Sequence, residues 1–421
     1  MTPANPEPGT RQAGRPHDAV LRPIGRTAAP RRADDAVQPA AAALSPVLQA
    51  IATAAAGHDR DGSFPVDSLA RLRDAGVLAL TVPTALGGGG AGLVLAAEAV
   101  QQVGSACPAT ALVLAMQLTR QAAIARNPAW PAHLRQRVGR EAVTDGALIN
   151  SLRVEPELGS PTRGGLPDTV ARLRAGHWSI SGRKRYATGA PGLRWMEVLA
   201  RTEEETPRIG SFLVSADAAG IEIVETWDHL GLRGSGSHDV VFSEVAVPLD
   251  HGIGLVPAGE WGRPDPVQAA WNTLLVSAVY SGVARAARDW VVRFVKTRVP
   301  SNLGAPLATL PRVIETVGAI EGAIAANARI TEAIASATDA GFPPAAAENG
   351  LLKVTQTENA VRAVELAVSL AGNHAHDRAH ALERHWRDVQ CARVHAPTAD
   401  AAHTAGGRAA LAASKPLETL Q

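Results

Sequence analysis

Residues 231–248 read Gly-Leu-Arg-Gly-Ser-Gly-Ser-His-Asp-Val-Val-Phe-Ser-Glu-Val-Ala-Val-Pro. Glycines at 231, 234 and 236 precede a β-branched run in which Val245 and Val247 alternate with Glu244 and Ala246. A phosphate-cradling glycine fingerprint needs strand, turn and helix in that order. Here a strand follows the glycines, so they serve a tight turn ahead of a half-buried strand and form no dinucleotide motif.

The same texture extends backwards to Gly146. Short strand-like runs at 147–154, 178–181, 197–201, 211–214 and 221–225 are separated by Gly, Pro and Asp clusters, which predicts a compact β domain over 146–255. On the N-terminal side, residues 40–145 are helical in pattern. Leu44, Val47, Leu48 and Ile51 recur at helical spacing, as do Leu69, Leu72 and Val77. Pro83 and Gly87 to Gly90 break the pattern before two segments, 93–103 and 110–124, that are apolar all round and suit helices inside a bundle. On the C-terminal side, residues 256–415 carry helical patterns at 267–299, 310–337, 345–371 and 380–394, which predicts an antiparallel four-helix bundle. The fold class is α+β: a helical domain, a central antiparallel β domain and a helical bundle. The long helices are too apolar for one bundle face, which predicts a homo-oligomer.

Composition sets the outer limits. The chain has 421 residues, 46% hydrophobic, with a formal net charge of +1, so no global basic field argues for nucleic acid. No apolar run has the length to span a bilayer. Two cysteines, Cys107 and Cys391, match no zinc or redox spacing, and a reduced, cytoplasmic setting is the simplest reading. Residues 1–39 are rich in Pro, Ala and Arg and read as a disordered extension. Arg31-Arg32 is followed by Ala-Asp-Asp instead of the apolar stretch of a signal peptide. His374, His376, His380 and His385 cluster without a carboxylate pattern that completes a metal motif, so no metal site is expected.

Five stretches in order resemble the acyl-CoA dehydrogenase superfamily over about residues 40–410. They are Asp74 to Leu78 with the Gly87 run, Glu155-Pro-Glu-Leu-Gly-Ser160, Ile180 to Ala190, the 231–248 stretch, and Arg387-Asp388. The resemblance implies a flavin, FAD or FMN, between the β domain and the bundle. It places Val154 where a backbone amide meets the isoalloxazine, the family's Thr hydroxyl being lost. It places Tyr186 against the ring, Thr188 at the ring's polar edge, Ser160 beside substrate or flavin, and Arg298 on the phosphates, where a bidentate guanidinium suits the charge. Each also has a plainer reading, as strand packing for Tyr186 and Thr188 and as a solvated helix end for Arg298. The resemblance also favours a homotetramer or homodimer.

One departure stands out. In the resembled dehydrogenases a carboxylate nine residues after the Arg of the Arg-Asp pair abstracts the α-proton. That position here is Ala396, inside Val394-His-Ala-Pro-Thr398. The alternative position, on the first long C-terminal helix, falls near Asn272 and Thr273. Neither offers a base. His395-Ala-Pro397 instead resembles the flavin-dependent monooxygenase branch of the superfamily, whose members include sulfur-heterocycle monooxygenases and related sulfur-acquisition proteins. Those enzymes take reduced flavin from a separate reductase and use O2. His395 would then donate a hydrogen bond or shuttle a proton beside the flavin. At a helix end before Pro397 the dipole would favour its protonated form. A helix-capping His395 is the plainer reading.

The leading expectation is a two-component monooxygenase acting on a small organic or organosulfur compound. The first rival is an acyl-CoA dehydrogenase whose base is relocated, to Glu155 or Glu157 for example. The second is a non-catalytic flavin-binding protein.

Overall fold

The computed structural model describes residues 41–157, 166–262 and 265–413. The 1–39 extension, Ser160 and the 162–165 loop lie outside the described residues. Five helices open the described chain: α1 (Ala41–Asp61), α2 (Val66–Asp74), α3 (Leu93–Ala106), α4 (Pro108–Arg126) and α5 (Ala132–Thr144). Eight strands follow: β1 (Leu148–Leu152), β2 (Val170–Arg174), β3 (His177–Ala187), β4 (Leu193–Thr202), β5 (Arg208–Ser215), β6 (Ile221–Val224), β7 (His238–Pro248) and β8 (Gly252–Pro257). The chain then returns to helix in α6 (Pro266–Thr297), α7 (Pro311–Asp339), α8 (Ala346–Ala371), α9 (Ala381–Gln390) and α10 (Ala399–Ala413).

The strands form one sheet in the order β6-β7-β3-β2-β4-β5-β8, with β1 beside β4. Most neighbours are antiparallel, as expected, but β4 runs parallel to both β1 and β2, so the sheet is mixed. β1 and β2 both keep one direction along β4, pairing with it at successive positions, Leu193 to Val198 and Arg201 to Thr202, on the edge opposite β5. β2 and β8 escape the sequence pattern. Arg172 and Arg174 blunt the apolar alternation of the first, and Gly252, Gly254 and Pro257 disguise the second.

Two glycines let α3 and α6 cross at close range. A Cβ on Gly282 would stand 2.4 Å from the Gln101 carbonyl oxygen, and one on Gly104 would stand 2.7 Å from that of Val279. That contact buries the apolar circumference of α6 from Ala270 to Ala284. Asp339, at the end of α7, caps α3 from 246 residues away by accepting from Leu93 N at 2.7 Å and Val94 N at 3.0 Å. Buried Gln117 of α4 donates to the Leu78 and Ala147 carbonyls and accepts from Ile149 N, which fixes β1 against the helices.

The 231–236 turn is held from both sides. Leu232 and Gly236 take positive φ, 54° and 55°. Leu232 N donates to Asp388 Oδ1 at 2.7 Å, and a Cβ on Gly231 would meet the Arg387 carbonyl oxygen at 2.6 Å. Arg387 in turn donates to both oxygens of Asp59 on α1, at 2.9 and 2.6 Å, and to Glu383. The glycine turn and the Arg-Asp pair, read separately in the sequence, are therefore one junction of α1, the β domain and α9.

Candidate active site

β7 pairs with β3, and the register slips between Lys184 and Ala187. Within that slip Tyr186 adopts φ 53°, which turns its ring outward to 46% exposure. A bulky residue at positive φ must be held by its surroundings. The Tyr186 ring stands edge-on to Trp227 at 6.3 Å and His229 at 6.1 Å, and the Arg185 guanidinium covers it at 5.0 Å. Trp227 and His229 stack at 3.7 Å. The sequence reading missed this pair. Its signal was the scarcity of aromatics, 4% of the chain, against a Trp four residues before the glycine turn.

Thr188 is buried, with its hydroxyl 3.0 Å from that of Ser237, which is 2.8 Å from that of Ser235. Three hydroxyls linked by two contacts use two of their three protons, so one donor remains to be directed elsewhere. The Val154 carbonyl accepts from Arg185 N at 2.8 Å, which ties the start of the 154–157 segment to the end of β3. Val154, Tyr186 and Thr188 are thus neighbours along one edge. Arg298 is not brought into contact with them; it is exposed and closes α6, four residues beyond the Trp290–Phe294 stack. His374 and His380 face that stack, His374 at 5.2 Å from Phe294 and His380 at 5.4 Å from Trp290. Arg233 donates to the Asp59 carbonyl, and His238 Nδ1 accepts from Trp227 N, so both build the junction.

Glu155 is spent. Its Oε1 accepts from Lys184 Nζ at 2.5 Å, Thr169 Oγ1 at 2.6 Å and Thr169 N at 3.0 Å, and its Oε2 from Asp168 N at 2.7 Å. Burial works to raise its pKa, but the Lys184 charge and these donors outweigh it and leave the carboxyl below its usual range. Such a carboxylate, with three donors on one oxygen and one on the other, has little basicity for a substrate proton. Glu157 is exposed. Asn272 is exposed, and the Thr273 hydroxyl donates to the Ala269 carbonyl within its own helix.

The segment around His395 departs from expectation. α9 stops at Gln390 and a short turn, Cys391–Arg393, follows, so His395 lies beyond any α-helical end. Burial, with the nearby Lys353 charge, pushes its pKa down to about 4, which corrects the expected dipole-favoured protonation. The His395 ring is half-buried, 5.7 Å from the Tyr280 ring. Lys353 reaches across from α8, fully buried, and donates to the His395 carbonyl at 2.8 Å and the Ala392 carbonyl at 3.0 Å. Ala396 presents only a methyl group, and the bond to Pro397 is cis.

Family models for the N-terminal, middle and C-terminal domains of acyl-CoA dehydrogenase match residues 38–127, 154–245 and 274–400. YdbM of Bacillus subtilis, provisionally named an acyl-CoA dehydrogenase, is 33% identical over 348 residues, covering 82% of this chain and 89% of that protein. This chain belongs to the acyl-CoA dehydrogenase family. The family includes flavin-dependent monooxygenases and nitrososynthases beside its dehydrogenases. L-evernosamine nitrososynthase of Micromonospora sp. is 29% identical, covering 82% of this chain and 83% of that enzyme. The structure of KijD3 with FMN and a dTDP-linked amino-keto sugar superposes at a TM-score of 0.76 with 29% identity, covering 88% of this chain and 93% of that one. An acyl-CoA dehydrogenase fold with an outward aromatic ring, an unspent hydroxyl donor and a backbone edge beside it fits a planar, polar-edged flavin. Among the described residues no group of three metal-ligating side chains assembles, and no helix is long and apolar enough to cross a membrane.

Proposed function

We infer that this member of the family is a two-component flavin-dependent monooxygenase acting on a small organic substrate, with reduced flavin supplied by a separate reductase. The observation that carries the reading is the pair at 395–396: a methyl group where the dehydrogenase base belongs, and a neutral imidazole beside it. Glu155, the first rival for that role, is committed to Lys184 and Thr169.

Val154 would meet the ring through its backbone, Tyr186 would cover its face and the Thr188 hydroxyl chain would donate to its polar edge. Arg298 would serve the phosphate from a second copy of the chain, since no contact brings it to Tyr186 within one. Bound and reduced, the flavin supplies two electrons to O2, one oxygen atom passing to the substrate and the other to water. His395, kept neutral by burial, can donate its ring N–H and still accept a proton on the other nitrogen. Lys353 is a positioning residue: it holds the carbonyls on either side of Val394 and so sets where the imidazole stands. Tyr280 walls the ring on the bundle side and excludes water. Similarity to nitrososynthases widens the substrate class from organosulfur compounds to amines.

The test is stopped-flow mixing of reduced, FMN-loaded protein with O2. Return of the oxidised flavin band should lag behind O2 uptake, and His395→Ala should shorten the lag by about tenfold or more. Immediate return in the wild type would overturn the oxygenase reading. An unchanged lag in the variant would remove His395 from it.

A further inference from the structure

Between the C-terminal half of α4 and the facing side of α5 lies a cavity of about 230 Å³. Gly139 makes room for Leu86 at one wall, since a Cβ there would stand 2.7 Å from Leu86 Cδ1. Ile124 forms another wall, and Ala125 and Ala132 are too short to fill the space that remains. Into this apolar setting comes Gln121, 2% exposed, whose amide Nε2 is buried with no hydrogen-bond partner. One turn earlier on α4, the buried Gln117 Nε2 donates to two carbonyls, each at 3.2 Å. A buried amide without acceptors is costly, and a ligand oxygen would satisfy it.

Charge enters from α5. Arg135, half-buried and one turn before Gly139, is the charged side chain of the lining and makes no ion pair among the described residues. The cavity thus joins apolar walls to two amide N–H donors without acceptors and one uncompensated positive charge. A phosphate dianion would keep excess charge against a single guanidinium. A carboxylate balances it and brings two acceptor oxygens. An apolar cavity of about 150 Å³ holds a benzene ring, so this one has room for a ring-sized apolar body carrying a carboxylate.

We propose that this cavity binds a small monocarboxylate with an apolar body, its carboxylate held by the Gln121 amide and Arg135. The site is separate from the proposed flavin edge. Val154, Tyr186, Thr188 and His395 take no part in its lining. Arg120 and Arg126, on another face of α4, turn instead to Glu197 of β4 and Trp271 of α6. The inference does not depend on oxygenase chemistry.

Calorimetric titration and thermal melting of the flavin-loaded full chain with benzoate test it. Benzoate should bind with millimolar affinity or better and raise the melting temperature. Benzyl alcohol, which keeps the ring and loses the charge, should bind at least tenfold more weakly. Gln121→Met removes the unpartnered amide at nearly constant length. The ligand-free variant should therefore melt above wild type while its benzoate affinity falls at least tenfold, a combination misfolding would not mimic. Arg135→Gln should weaken benzoate at least tenfold with the ligand-free melt unchanged, and Arg329→Gln, exposed on α7, should change neither. Absence of benzoate binding to wild type up to about 10 mM overturns the site. So does affinity within twofold of wild type in both Gln121→Met and Arg135→Gln, or a ligand-free Gln121→Met that melts below wild type.

Discussion

Glu155 in the β domain and Asp388 on α9 are both almost wholly buried, at 1% and 3% exposure, yet their chemistry diverges. Glu155 faces Lys184, itself fully buried, and stays ionised. Asp388 has one backbone donor, Leu232 N, and no ion pair within reach, so burial pushes its pKa up to about 6. Burial alone thus says nothing about a carboxylate's charge; the facing cation decides. For function the contrast matters because Glu155 lies one residue from the proposed flavin edge at Val154 and is already consumed by structure.

The largest expected effect separates the two. Glu155→Gln removes the counter-charge of buried Lys184, whose pKa burial has already brought down to about 8, and should cost about 3–5 kcal/mol, the scale for breaking one side of a buried ion pair. Asp388→Asn keeps an acceptor for Leu232 N and at pH 8 removes a charge that burial disfavours, so it should cost less than about 1 kcal/mol. Urea midpoints at pH 8 measure both, and equal losses would break the comparison. Glu155→Gln with Lys184→Met should recover much of the single loss.

A smaller effect tests the junction that holds Asp388. Gly231→Ala pushes a Cβ against the Arg387 carbonyl oxygen and should cost about 1–3 kcal/mol by overpacking. Thermal melting of that variant beside Gly318→Ala, where a Cβ meets open space, reads the difference.

The smallest effect is the response to pH. Burial pushes His385 down to about 3 and His395 to about 4, from an ordinary 6.5. Both are neutral when folded and charge in the unfolded chain first, so their stability is intact above 6.5 and declines as pH falls towards 4. Asp388 has the opposite sign. Its raised pKa means the folded state takes up a proton first, so acidification from 6 towards 4 relieves it. Asp388→Asn should therefore steepen the acid loss of unfolding free energy, and a shallower slope would show the sign to be wrong.

The comparison also marks what a sequence can disclose. The β7 motif and the Arg387-Asp388 pair were legible because each is carried by adjacent residues with one purpose, a turn or a clamp. That position 396 carries alanine was legible directly; that it corresponds to the dehydrogenase base is what the resemblance implies. The environment of His395 was not legible. Its carbonyl is held by Lys353 from 42 residues away, and its proton affinity is set by burial against Tyr280, so a helix-end dipole was the wrong physics to apply. The conformation of Tyr186 was not legible, because its positive φ accompanies a register slip between β3 and β7. α10 escaped because its Ala- and Gly-rich run has no apolar stripe until it packs on α8.

The most direct measurement mixes oxidised, flavin-loaded protein anaerobically with butyryl-CoA and with a long-chain acyl-CoA while following the visible flavin band. On the proposed reading, with a methyl group at position 396 and Glu155 held by Lys184 and Thr169, the band should persist at full height with both thioesters. Bleaching by either one in the wild-type protein would place a competent base in the site and return the chain to desaturation.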